Sequence, residues 1–128
     1  MNRFLRLFRF GNGIMGVIGV IVGAFIASGT GITEYAFGIG LSCVIVFIFM
    51  AGGNALNDYI DREIDKTAHP DRPVPRGEIS PRTALAAGIA MMIVSALLSL
   101  LYRDILSTGL VLIAAGLMVS YEVFLKQR

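Results

Sequence analysis

Residues 53–80 read GNALNDYIDREIDKTAHPDRPVPRGEIS, a polar island between long apolar runs. The island holds six of the nine acidic residues: Asp58, Asp61, Glu63, Asp65, Asp71 and Glu78. It also holds four of the eleven basic ones: Arg62, Lys66, Arg72 and Arg76. Wound as a helix at about 100° per residue, Asn54, Asp58, Asp61 and Asp65 fall within an arc of roughly 60°. Asn57 lies one step aside, and Glu63 points almost opposite. Like-charged carboxylates on one face repel, so something positive must compensate them. An all-oxygen donor set suits a hard cation, and Mg2+ usually takes one or two carboxylates plus substrate phosphate. No Cys or His joins the cluster, which argues against zinc. Arg72 and Arg76 follow on a loop stiffened by Pro70, Pro73 and Pro75, where they are candidates to clamp phosphate bidentately.

The flanks set the fold class. The chain is 55% hydrophobic with a mean hydropathy of +0.74, and four stretches carry no charge: 10–33, 35–57, 83–102 and 105–121. About 20 helical residues cross a hydrocarbon core of ~30 Å. The first three stretches are long enough, and residues 123–125 extend the fourth. None alternates polar with apolar, so the spans are helices, which satisfy their own backbone hydrogen bonds in lipid. The expected fold is all-α, a polytopic membrane helical bundle with four transmembrane helices. Its expected parts are an interfacial amphipathic helix at 1–10, helices at about 13–32, 35–65, 81–102 and 104–125, and a cytoplasmic loop at 66–80.

Charge placement sets the orientation. Ten of the eleven basic residues fall on one side of these spans, and Arg103 alone lies on the other. By the positive-inside rule both termini and the polar island face the cytoplasm of a multi-pass protein of the cell membrane. The net charge of +2 is thus a topological signal, and no nucleic acid partner is expected. Cys43 has no cysteine to pair with. Gly19 and Gly23 form a GxxxG expected to pack within the bundle. Ser80–Pro81 reads as an N-cap followed by proline at the first helical position. Chemistry alone therefore describes a Mg2+-dependent site for a phosphorylated, largely apolar substrate at the cytoplasmic edge of the membrane.

The run Asn57–Asp58–Tyr59–Ile60–Asp61–Arg62–Glu63–Ile64–Asp65 resembles the first aspartate-rich motif, NDxxDxxxD, of the UbiA superfamily of intramembrane prenyltransferases. Residues 71–80, DRPVPRGEIS, resemble that family's RPxPxG segment, in the same order and at the same spacing. Within the family, residues 53–80 are most similar to the archaeal digeranylgeranylglyceryl phosphate synthases. Tyr121 and Lys126 resemble the family's YxxxLK segment. The resemblance implies Mg2+-dependent transfer of a geranylgeranyl or other polyprenyl group from its diphosphate to a lipid-like acceptor, geranylgeranylglyceryl phosphate in archaeal ether-lipid synthesis. It implies catalytic, metal-holding roles for Asp58, Asp61 and Asp65. It implies substrate contacts from Asn54, Asn57, Arg72, Arg76, Tyr121 and Lys126.

The family fold has nine transmembrane helices and a second aspartate-rich motif, of which these 128 residues carry four helices and no second motif. The expectation is an N-terminal portion, inactive by itself, that requires the remaining C-terminal half. Prenylation of an aromatic acceptor, as in the 4-hydroxybenzoate and chlorophyll branches, is the alternative within the family. Outside it stand a membrane phosphotransferase acting on nucleotide-linked alcohols and a non-enzymatic cation-binding bundle. The second is disfavoured because the acids lie at a span end and not at the midplane.

Overall fold

The computed structural model describes residues 3–122. Among them there is no strand, and every regular element is a helix. A short helix α1 (Arg3–Phe8) turns sharply into α2 (Phe10–Ser28). A 3-10 segment, Gly29–Tyr35, reverses the chain into α3 (Ala36–Ile60), and α4 (Arg62–Ala68) follows after a bend at Asp61. Beyond the loop come α5 (Pro81–Ser99), a 3-10 turn (Leu100–Tyr102) and α6 (Ile105–Ser120).

Helix α3 is the hub. It packs antiparallel to α2, where Gly13 lies under the Phe47 ring and Gly16 under Val46 and Met50. On its other side it packs antiparallel to α5, with Gly52 against Met91 and Gly88 against Leu56. The two glycines bring the backbones together, because a Cβ on either would meet the other's carbonyl oxygen at 3.0–3.1 Å. Gly19 and Gly23 behave otherwise. A Cβ on either meets nothing within 4 Å, so the packing glycines are Gly13, Gly16, Gly52, Gly53 and Gly88, not the GxxxG pair.

The surface is inverted relative to a water-soluble protein. Ile26 is 79% exposed and Ile105 is 91% exposed, whereas Asp58 is 1% exposed. Exposed apolar faces around a buried acidic site suit a lipid solvent. The run Phe10–Ile60 and the helical segment Pro81–Tyr102 contain helices long and apolar enough to cross a membrane; Ile105–Ser120 is shorter.

Three boundaries depart from expectation. The first helix ends at Phe8, because Arg9 adopts the left-handed conformation (φ 53°, ψ 68°). Its α1 does not present a purely lipid-facing stripe either: Leu7 is fully buried against Ala55, Val74, Ile79 and Ala84. Helix α2 stops at Ser28, followed by Gly29 at φ 57°. The expected single helix over 35–65 bends at Asp61, where Arg62 turns back to donate to the Tyr59 carbonyl at 2.8 Å and stacks over the Tyr59 ring. A side chain competing for a ladder carbonyl is a common cause of such bends. The i→i+4 bonds Asp61–Asn57 and Asp65–Asp61 persist, so Asp58 and Asp65 stay on one face.

The helix starts follow the local chemistry. Ser80 Oγ accepts the Thr83 N–H at 3.2 Å, with Pro81 at the first position. Arg103 (φ 56°) turns the chain between α5 and α6, and Asp104 caps α6 by accepting from the Leu106 and Ser107 N–H groups. The Ser107 hydroxyl, then the Leu106 amide, holds the Asp104 carboxyl below its ordinary range. A carboxyl with a depressed folded value contributes stability above its unfolded value and loses it as pH falls through the folded one. The α5–α6 turn should therefore loosen on acidification in wild type. Asp104→Asn, which retains a capping oxygen, should flatten that response in amide exchange of residues 105–108; an unchanged acid response would refute it.

A carboxylate face met by two arginines

Asp58 on α3, Asp61 at the bend and Asp65 on α4 are 1%, 7% and 2% exposed. Burying carboxylates is costly unless each is paired. Arg72, from the loop, donates to both Asp65 oxygens at 3.1 and 3.0 Å and lies 3.9 Å from Asp58. Arg9, 49 residues before Asp58, donates from Nη2 to Asp58 Oδ1 at 2.7 Å. Asp58 Oδ2 is buried with no hydrogen-bond partner among the described residues.

The asparagines stand beside this face. Asn54 donates to the Phe8 carbonyl at 2.8 Å and so ties α3 to the end of α1. With Asn57, Gly53, Met118, Glu122 and Arg9 it lines a cavity of about 280 Å³. A second cavity, of about 310 Å³, is lined by Arg6, Arg9, Asn12, Asp71 and Arg72 among others. A third, wholly apolar and about 270 Å³, lies against Leu56, Tyr59, Ile89 and Met118. Another groove, about 590 Å³, is at the opposite end of the α2–α3 hairpin beside Glu34 and is remote from the carboxylates.

Other residues named from the sequence fall elsewhere. Arg76 is half-exposed and pairs with Glu78 at 3.1 Å, so it and Arg72 have different partners. Glu63 is on the solvent side, paired with Lys66 at 2.9 Å; that hydrogen bond and charge hold its carboxyl below the usual range. Tyr121, just beyond α6, is 53% exposed. Lys126 lies outside the described residues.

Sequence reading missed two residues. Arg9 is one. The other is Arg6, which bonds the Asp71 carbonyl and pairs with Glu78 Oε1 at 3.1 Å. The every-third-residue arginine pattern of residues 3–9 was the available signal, but it reads equally as a basic membrane flank. Through Arg6 and Leu7, α1 clamps the loop that carries Arg72. Arg6→Ala should free that loop, and limited trypsinolysis after Lys66 or Arg76 should accelerate several-fold. Cleavage at the wild-type rate would show that the clamp does not hold.

The residues present fit a hard divalent cation in donor chemistry. They are all oxygen, buried, and include one unsatisfied carboxylate oxygen at Asp58. Among the described residues no three Asp, Glu, His or Cys side chains come together as a group that could hold a metal ion, so Asp58, Asp61 and Asp65 do not form such a group here.

The structure thus sets a buried acidic face, met by two arginines, within a helical bundle whose outer faces are apolar. The model of the UbiA prenyltransferase family matches residues 16–128. The chain belongs to that family. Similar curated relatives are digeranylgeranylglyceryl phosphate synthases. That of Methanothermobacter thermautotrophicus is 38% identical across the whole chain, which spans 43% of it. That of Methanosphaera stadtmanae is 36% identical across the whole chain, which spans 45% of it. That of Methanopyrus kandleri is 43% identical over 66% of the chain and 30% of the relative. A solved structure of a digeranylgeranylglyceryl phosphate synthase study superposes with a TM-score of 0.87 at 31% identity, covering 97% of this chain and 43% of that one. The chain thus spans under half the length of each of these relatives.

Proposed function

We propose that this chain forms the N-terminal, diphosphate-binding part of a Mg2+-dependent prenyltransferase that moves a geranylgeranyl group onto geranylgeranylglyceryl phosphate. The observation that carries the proposal is the buried Asp58–Asp61–Asp65 face with its two opposing arginines, in a chain whose full-coverage relatives are digeranylgeranylglyceryl phosphate synthases. The spans are read as four transmembrane helices of nine, in the cell membrane, with the carboxylates facing the cytoplasm. In this reading a C-terminal half, matching the part of the relatives that this chain does not span, supplies the second acidic motif, and residues 1–128 alone do not catalyse transfer.

Asp58, Asp61 and Asp65 would hold the cation. When bound, it neutralises the diphosphate and makes it a better leaving group. Arg72, Arg9 and the amides of Asn54 and Asn57 would donate to the departing diphosphate; Arg76 and Lys126 are further contacts in this reading. Donors held in place where charge develops stabilise it without reorganising. The C–O bond to the prenyl carbon breaks and its electron pair leaves with the diphosphate. The apolar helix faces keep water from the allylic cation. The acceptor hydroxyl attacks that carbon, forms the ether bond and releases its proton.

The test supplies the purified protein, with its C-terminal half, with geranylgeranyl diphosphate and either geranylgeranylglyceryl phosphate or 4-hydroxybenzoate, and separately with a nucleotide-linked lipid, whose cleavage in place of geranylgeranyl diphosphate would decide for a phosphotransferase. The expected result is a Mg2+-dependent ether lipid from the first acceptor alone. A prenylated benzoate would move the protein to the aromatic branch. Ion flux in liposomes without transfer from any donor would contradict the enzyme reading.

A further inference from the structure

We propose that Arg9 is the resting-state counterion of Asp58, that it competes with the divalent cation for that carboxylate, and that it transfers to the diphosphate once the cation is bound. This rests on the reading that the carboxylate face takes a cation-bound diphosphate.

The contact comes first. The Arg9 guanidinium satisfies one oxygen of Asp58 at 2.7 Å, and the other oxygen is buried without a hydrogen-bond partner among the described residues. A carboxylate left half-satisfied in a low-dielectric site retains strong affinity for positive charge. A cation arriving at Oδ2 would sit beside a guanidinium already on Oδ1. The two charges repel, and occupancy by one weakens the other.

The backbone adds a second observation. Arg9 stands in a left-handed conformation (φ 53°) that is unfavourable for any residue carrying a Cβ. This turn separates α1 from α2 at the residue whose side chain meets Asp58. Glycine is the usual residue for such a turn, yet here the position carries the long cation that the site uses.

The third observation is room to move. Arg9 lines both the 310 Å³ cavity, with Asn12 and Arg72, and the 280 Å³ cavity, with Asn54 and Asn57. A guanidinium released from Asp58 can face an anion in either. Arg72 is less free to do this first, because both Asp65 oxygens engage it. In the resting state two arginines balance Asp58 and Asp65. With a divalent cation on the carboxylates, the guanidinium forks become available to phosphate oxygens, which they match bidentately. Local charge then changes little as substrate enters, which a low-dielectric site requires.

The experiment measures Mn2+ affinity by electron paramagnetic resonance, and the metal-free thermal midpoint, in the purified protein with its C-terminal half. Wild type is compared with Arg9→Asn and Arg9→Lys. Asparagine tolerates the left-handed turn, so the backbone is kept while the charge is removed. Arg9→Asn should bind Mn2+ on the order of tenfold more tightly, since a neighbouring unit charge is gone. It should also melt lower without metal and lose affinity for Mn2+–pyrophosphate; Arg9→Lys should stay near wild type in Mn2+ affinity. Unchanged or weaker Mn2+ binding by Arg9→Asn overturns the exchange. If Arg9→Asn does not fold, Arg9→Gly is read by the same criterion. Wild type that binds no Mn2+ overturns the site reading, and the exchange with it.

Discussion

Asp65→Asn is expected to lower prenyl transfer by at least about a hundredfold, because transition-state charge would lose a held donor–metal arrangement. Asp65 is buried, and Arg72 grips both of its oxygens. The amide cannot hold a cation as the carboxylate does, and it no longer fixes the guanidinium. The fold should survive, since Arg72 is 25% exposed at its side chain and has Asp58 only 3.9 Å away. Asp61→Ala, at the bend between α3 and α4, should be equally damaging to turnover. Transfer rates on folded, monodisperse protein decide the matter; near-normal turnover by either variant would remove that residue from the mechanism.

Gly52→Val is expected to cost about 1–3 kcal/mol of stability, the usual range for overpacking a filled interface. A Cβ at Gly52 would sit 2.8 Å from Met91 Cβ and 3.0 Å from the Gly88 carbonyl oxygen. The methionine can shift its outer atoms, but neither its Cβ nor the backbone carbonyl can move without displacing α5. Since α3 carries Asp58, the loss should extend to activity. Gly19→Val is the control: a Cβ there meets nothing within 4 Å, so only a small propensity effect is expected. Equal unfolding midpoints in denaturant for the two variants would contradict the α3–α5 packing described above.

What was legible in the sequence was local. The 3.6-residue period put Asp58, Asp61 and Asp65 on one face; the structure buries all three and links Asp58 to Asp65 through Arg72. Ser80–Pro81 announced the start of α5 by capping chemistry alone. The UbiA resemblance, read from residues 57–65 and 71–80, is borne out by the family match over residues 16–128. What was not legible depended on distance along the chain. Arg9 reaches Asp58 across 49 residues, and Arg6 reaches Glu78 across 72. No periodicity within a window of eleven to eighteen residues encodes such a pairing. The glycines show the same limit. Five of them pack closely, but GxxxG spacing selected Gly19 and Gly23, whose surroundings only the fold reveals.

The most direct test of the carboxylate–arginine site is the thermal shift produced by pyrophosphate with and without Mg2+, in the purified protein with its C-terminal half. The expected result is stabilisation that needs both ligands together, is abolished by EDTA, and is absent in Asp65→Asn. Equal stabilisation by pyrophosphate without metal, or in Asp65→Asn, would mean that these aspartates do not hold a diphosphate through a cation.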